Sequence, residues 1–184
     1  EYTRSKSDSI GIITKDILTN KGLNRFVGDS LVNLDSLKKQ AYTSSVNSVI
    51  YFAFLPHRLN DDAVIKTYTG KIEIDGKSYH KVKVTFDADG GGEDYEDVFY
   101  YWFDTEDYSM DYLAYSYNEE EGKGMRMRVA YNQRTINGVA IQDYINLKPA
   151  VPESIALENI DQAYIDNQLV ELSRIELTDM IITN

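Results

Sequence analysis

Between Tyr79 and Asp104 the chain reads as two β-strands joined by a glycine-rich acidic loop, and this ribbon restricts the possible folds more than any other stretch. From Tyr79 to Phe86, the residues His80, Val82, Val84 and Phe86 alternate with Tyr79, Lys81, Lys83 and Thr85, the period-2 pattern of a strand with one buried face. From Asp97 to Asp104, the run Val98-Phe99-Tyr100-Tyr101-Trp102-Phe103 is apolar on both faces. Such a strand is covered on both sides or lines a hollow. A curved antiparallel sheet with an aromatic inner surface is therefore expected.

The flanking sequence extends this sheet in both directions. Upstream, Glu1 to Ser7 and Ile12 to Thr19 form a hairpin pattern around Asp8-Ser9-Ile10-Gly11, followed by short strands at Leu23 to Val27 and Ser30 to Val32. Downstream, Asp75-Gly76 and Asn137-Gly138 are hairpin turns, and strands are read at Thr69 to Ile74, Met110 to Tyr117, Gly124 to Tyr131, Val139 to Leu147 and Leu169 to Leu177. One stretch breaks the pattern. Tyr42, Val46, Val49, Ile50, Ala53 and Phe54 recur at three- and four-residue steps, one face of a helix, which ends near Leu55 because Pro56 disfavours α geometry before it. Ile155 to Gln168 reads as a loop with at most one helical turn, its Leu157, Ile160 and Tyr164 available to cover an edge. These elements give an α+β fold: a large curved antiparallel sheet, an incomplete barrel, around one main helix, with residues 1–184 as a single domain.

Composition narrows the function. A formal net charge of −11 repels phosphate backbones and anionic membrane surfaces, so nucleic acid is a poor partner. The absence of Cys removes disulfides, thiolate metal sites and Cys nucleophiles. No apolar run reaches the roughly 18 residues of a membrane-spanning helix. The chain opens on Glu1 in strand-like sequence rather than on Met, which reads as a trimmed N-terminus lacking earlier elements. The 15 Tyr residues stand out, since a phenol suits surfaces that are apolar in body and wet at the tip.

Chemical motifs are sparse. No G-x-S-x-G, G-x-G-x-x-G or G-K-[ST] signature occurs, and His57 and His80 have no partners at metal-ligand spacing. No catalytic residue, metal or cofactor is expected. The loop Asp87 to Asp97 carries Asp87, Asp89, Glu93, Asp94 and Asp97 around three glycines; it reads as a solvated acidic hairpin loop, with a hard cation as the alternative. Glu119-Glu120-Glu121 reads as a solvated turn. Arg126 and Arg128 are expected to face water while Met125 and Met127 face inward.

The strings Ser48-Val49-Ile50-Tyr51-Phe52-Ala53-Phe54-Leu55-Pro56-His57-Arg58-Leu59-Asn60-Asp61, Tyr79-His80-Lys81-Val82, Gly90-Gly91-Gly92-Glu93-Asp94-Tyr95-Glu96-Asp97 and Glu171-Leu172-Ser173-Arg174-Ile175-Glu176-Leu177 resemble an uncharacterised domain family of Bacteroidetes envelope proteins, many with signal or lipoprotein-type leaders. The resemblance implies export to the periplasm or the outer membrane, and an architecture similar to the lipoprotein carrier LolA, an incomplete barrel over an apolar cavity. It carries over no catalytic residues. The resulting expectation is a non-enzymatic envelope protein holding a lipid or other hydrophobic ligand against Phe52, Phe54, His80, Tyr100, Trp102, Tyr115 and Met127. The alternative is a protein- or glycan-interaction module with no ligand cavity.

Overall fold

Asp75 and Gly76 take φ of 52° and 77°, and Asn137 and Gly138 take 47° and 81°, the left-handed pairs that tight hairpins require and that Asp, Asn and Gly tolerate best. The computed structural model describes residues 2–89, 95–119, 122–151 and 154–180. Residues 90–94 of the acidic loop and Glu120 and Glu121 of the second acidic turn lie outside them. The chain divides into two compact units, residues 1–58 and 59–184. Its strands form two antiparallel sheets rather than one.

The first unit is a four-stranded meander, β1 (Tyr2–Ser7), β2 (Ile13–Thr19), β3 (Gly22–Val27) and β4 (Ser30–Val32), followed by α1 (Ser36–Ala53). The helix starts six residues before the expected Tyr42 because Asp35 caps it: Asp35 Oδ1 accepts the Lys38 N–H at 2.8 Å. Within this unit α1 lays Tyr42 and Val46 on Leu18, Leu23 and Leu34. Beside this small core, Asp16 is buried and accepts Arg25 Nε at 2.7 Å and Arg4 Nη2 at 2.7 Å. Arg4 also donates to Ser45 Oγ at 2.7 Å, tying β1 to α1.

The second unit is a seven-stranded sheet of β5 (Val64–Ile74), β6 (Lys77–Phe86), β7 (Val98–Asp104), β8 (Met110–Glu119), β9 (Gly122–Ile136), β10 (Val139–Pro149) and β11 (Leu169–Ile175), each beside its chain neighbour and not closed into a barrel. The link from β10 to β11 carries a 3-10 turn, Leu157–Asn159, and α2, Ile160–Ile165. Leu157 and Ile160 pack on the face built from Tyr79, Tyr100, Trp102, Tyr112, Ala114, Met127 and Leu147. They cover a face rather than an edge. Burying each such aliphatic side chain contributes about 1.5–3 kcal/mol.

Both faces of the ribbon are apolar, and this corrects two expectations. Tyr79 and Lys81, placed on the open side by simple alternation, lie on the face under α2, with Tyr79 only 2% exposed. Arg128, expected in water, is 8% exposed; its guanidinium lies 5.5 Å from the Tyr115 ring centre, and it donates to the Tyr115 hydroxyl at 3.2 Å. Aromatic neighbours hold the long aliphatic stem of an arginine as readily as they hold an apolar side chain. Met127 does face inward and is fully buried.

Candidate functional site

Strands in perfect register present alternate side chains and no concavity, so a site on a sheet needs an irregularity. Two occur side by side in the second unit. Between β7 and β8 the register shifts after Trp102↔Tyr112 to Phe103↔Met110, leaving Asp111 as the extra residue. Between β9 and β10 it shifts from Asp143↔Tyr131 to Ile141↔Arg134, where Asn132 takes φ of 50°. The two bulges re-aim Asp111 and Gln133 toward each other, and Gln133 Nε2 donates to Asp111 Oδ1 at 2.9 Å. Around them opens a cleft of about 330 Å³ lined by Asp75, Lys77, Tyr79, Asp111, Tyr112, Ala130, Tyr131, Asn132 and Gln133.

Phenols tied to carboxylates stand in the cleft, Tyr79 and Tyr112, and beside it, Tyr164. Tyr79 donates to Asp111 Oδ2 at 3.0 Å, and the hydroxyls of Tyr112 and Tyr164 reach Asp75 Oδ2 at 3.4 and 3.5 Å. The three rings are in sequence: Tyr79 and Tyr112 centres are 5.2 Å apart edge to face, and those of Tyr112 and Tyr164 are 5.6 Å apart. Burial, reinforced by the hydrogen bond and charge of Asp111, pushes the Tyr79 hydroxyl far above its ordinary value. Burial likewise raises that of Tyr112, followed by the effects of Tyr164 and Asp75. Both phenols therefore stay protonated as donors at any physiological pH.

Asp111 also accepts from Ser109 Oγ at 2.8 Å. Lys77 lies 3.4 Å from Asp104 and 3.8 Å from Asp111. The Asp104 hydrogen bond, with the charges of Asp111 and Asp104, holds the Lys77 ammonium above its usual value. The cleft thus presents fixed acceptors, one cation, two amides and tyrosine rings. Among the described residues no group of three His, Asp or Glu side chains converges as a metal site would require.

The seven residues expected to meet a ligand are dispersed. Tyr100, Trp102 and Met127 come together on the face under α2, where they are at most 6% exposed against the protein's own side chains. Tyr115 and His80 lie on the opposite face; Tyr115 stacks with Phe99 at 5.4 Å, and His80 lies between Tyr68 and Tyr108 at 5.8 and 6.1 Å. Phe52 is buried and Phe54 exposed in the first unit.

The sequence reading passed over Asp75, Lys77, Asp111, Tyr112 and Gln133. Asp75 was visible as a turn residue, and the end of the alternating pattern at Tyr131 marked the bulge that places Gln133. No helix among the described residues is long and apolar enough to cross a membrane. No curated protein and no solved structure matches the chain. A family model matches residues 2–177, and the chain accordingly belongs to DUF6503, a family of unknown function.

Proposed function

We propose that the protein is a non-enzymatic recognition module of the cell envelope whose second unit binds a polyhydroxylated, glycan-type ligand in the cleft formed by the two bulges. The observation that carries this reading is the pairing of Asp111 with Gln133, which sets a carboxylate, an amide and the Lys77 ammonium around tyrosine rings in a single concavity. Sugar hydroxyls donate and accept at once and so need both kinds of partner, while sugar C–H faces rest on aromatic rings.

A lipid guest, the first expectation, suits this cleft poorly. An acyl chain would remove water from Asp75, Lys77 and Gln133 without replacing its hydrogen bonds, a cost of several kcal/mol. The apolar rings first assigned to that guest, Tyr100 and Trp102, are filled by α2 and neighbouring strands. A negatively charged ligand is disfavoured by the two aspartates and by the net charge of −11.

The test is calorimetric titration with neutral oligosaccharides (cellobiose, maltotriose and a β-1,3-linked glucotriose) and, in parallel, with lauric acid. Binding of at least one oligosaccharide, weakened about tenfold by Asp111→Ala or Gln133→Ala, supports the proposal. No heat from any oligosaccharide, or binding of lauric acid alone, contradicts it.

A further inference from the structure

His80 stands apart from the cleft, and its surroundings are open. A further irregularity lies beside it: between β5 and β6 the register shifts from Tyr68↔Val82 to Gly70↔Lys81, with Gly70 at φ 126°. Tyr68 flanks the imidazole with its ring centre 5.8 Å away and tilted 59°, and Tyr108 flanks it at 6.1 Å, within 2° of parallel. The two phenols are 58% and 69% exposed. Neither of their hydroxyls and neither imidazole nitrogen meets a hydrogen-bond partner among the described residues.

Tyr108 takes φ of 60°, a left-handed conformation that is costly for a bulky residue and that Asn or Gly adopts readily. The turn holds it there: the Asp104 carbonyl accepts the Tyr108 N–H at 3.2 Å, and Asp107 Oδ1 accepts the Ser109 N–H at 2.9 Å. The backbone alone would favour a smaller residue, so the exposed ring is what the strain sustains. Open ring faces beside free hydroxyl and imidazole groups suit a sugar, whose C–H face rests on aromatic carbon while its hydroxyls both donate and accept. An acyl chain would strip water from those same groups without replacing it. Resting on the reading of the protein as a glycan-recognition module, we infer that Tyr68, His80 and Tyr108 form a second sugar platform, so that the preferred ligand is a long neutral polysaccharide met at two places. A platform without concavity holds one sugar weakly, but a chain already bound in the cleft presents its further units at high effective concentration. Lys77 of the cleft and His80 of the platform both lie on β6, roughly 10 Å apart along the strand.

The experiment is affinity gel electrophoresis of the whole chain through soluble polysaccharides (hydroxyethyl cellulose, soluble starch and a β-1,3-glucan) and, in a separate arm, through poly-L-proline. It compares the wild type with Tyr108→Asn, Tyr68→Ser and the cleft variant Asp111→Ala. Retardation of the wild type by at least one polysaccharide is expected, with affinity about tenfold weaker in Tyr108→Asn and in Tyr68→Ser. Because Asn relieves the strain, Tyr108→Asn should also melt about 2–4 °C higher than the wild type, which separates a lost contact from a lost fold. Tyr108→Asn and Tyr68→Ser retarded as strongly as the wild type, with retardation lost in Asp111→Ala, overturn the platform and leave the cleft standing. A lower melting temperature in Tyr108→Asn with retardation kept also overturns it, as does retardation by poly-L-proline alone. Failure of every polysaccharide to retard the wild type overturns the platform, and the calorimetry of short oligosaccharides then judges the cleft on its own.

Discussion

Lys81 Nζ lies 2.6 Å from Asp161 Oδ2, joining β6 to α2 across 80 positions of sequence, and the same oxygen accepts the Trp102 indole N–H at 3.2 Å. The ammonium also donates to the Glu158 carbonyl and lies 5.1 and 5.4 Å from the Tyr100 and Trp102 ring centres. One buried ion pair thus fixes where the short helical segment sits on the sheet. α2 has only six residues, too few to be stable without tertiary packing.

Removing one partner strands the other charge where water cannot reach it. Lys81→Met is expected to lower the unfolding free energy of the second unit by about 3–5 kcal/mol, whereas Lys81→Met combined with Asp161→Leu should recover much of that loss. Urea titration followed by fluorescence of Trp102, the one Trp of the chain, measures both. Additive losses in the double variant would show that the two side chains act separately.

In the first unit the hydrogen bond from Arg25, against an opposing effect of burial and aided by Arg4, holds the Asp16 carboxyl below the usual carboxylate range. A depressed folded-state value contributes stability that is complete above the unfolded value, about 4, and is lost as pH falls through the folded one. The stability gap between wild type and Asp16→Asn should therefore be full at pH 7, begin to close below about pH 4 and vanish in stronger acid. Thermal melts of the two proteins between pH 7 and pH 2 test this. A gap that stays constant over that range would rule out the ion triad as its source.

Local pattern made most of the strands legible. The hairpin strand read at Ile12 to Thr19 and the turns Asp75-Gly76 and Asn137-Gly138 reappear as β2, one residue shorter, and as two hairpins. Partnership between distant segments was not legible, because apolar alternation says which face is buried and not what buries it. Tyr79 and Lys81 looked like the open face of β6 until α2 supplied a cover from 80 positions away. The cleft was hidden for the same reason. Asp75, Asp111 and Gln133 come from three separate strand ends, and only the bulged registers bring them together.

Beside the bulge between β9 and β10, Asp143 accepts the Leu177 N–H at 2.9 Å, Asn132 Nδ2 at 2.6 Å and Arg134 Nη2 at 3.2 Å. Burial alone would raise its carboxyl, but these donors together draw it below the ordinary value. Asp143→Ala should release the segment after β11 and the Asn132 bulge together, accelerating amide exchange at Leu177 and near Asn132 at least tenfold while β7 remains protected. Unchanged exchange at Leu177 would remove Asp143 as the tether.

Met127 separates packing from ligand contact. It is fully buried among Trp102, Ala114 and Leu147, so Met127→Ala should cost about 2–5 kcal/mol through lost contacts and a cavity. Sugar affinity measured well below the melting temperature should not change. A selective loss of ligand binding with stability intact would instead return Met127 to a lining role.

The central claim is that recognition occurs at the bulged, polar end of the seven-stranded sheet, and backbone amide shifts read this residue by residue. During titration with the tightest-binding oligosaccharide, shifts should concentrate at Asp75, Lys77, Asp111 and Tyr131 to Gln133, and lauric acid should leave these amides in place. Shifts confined to the neighbourhood of His80 and Tyr115, or produced at the cleft by lauric acid and not by the sugar, would contradict the account.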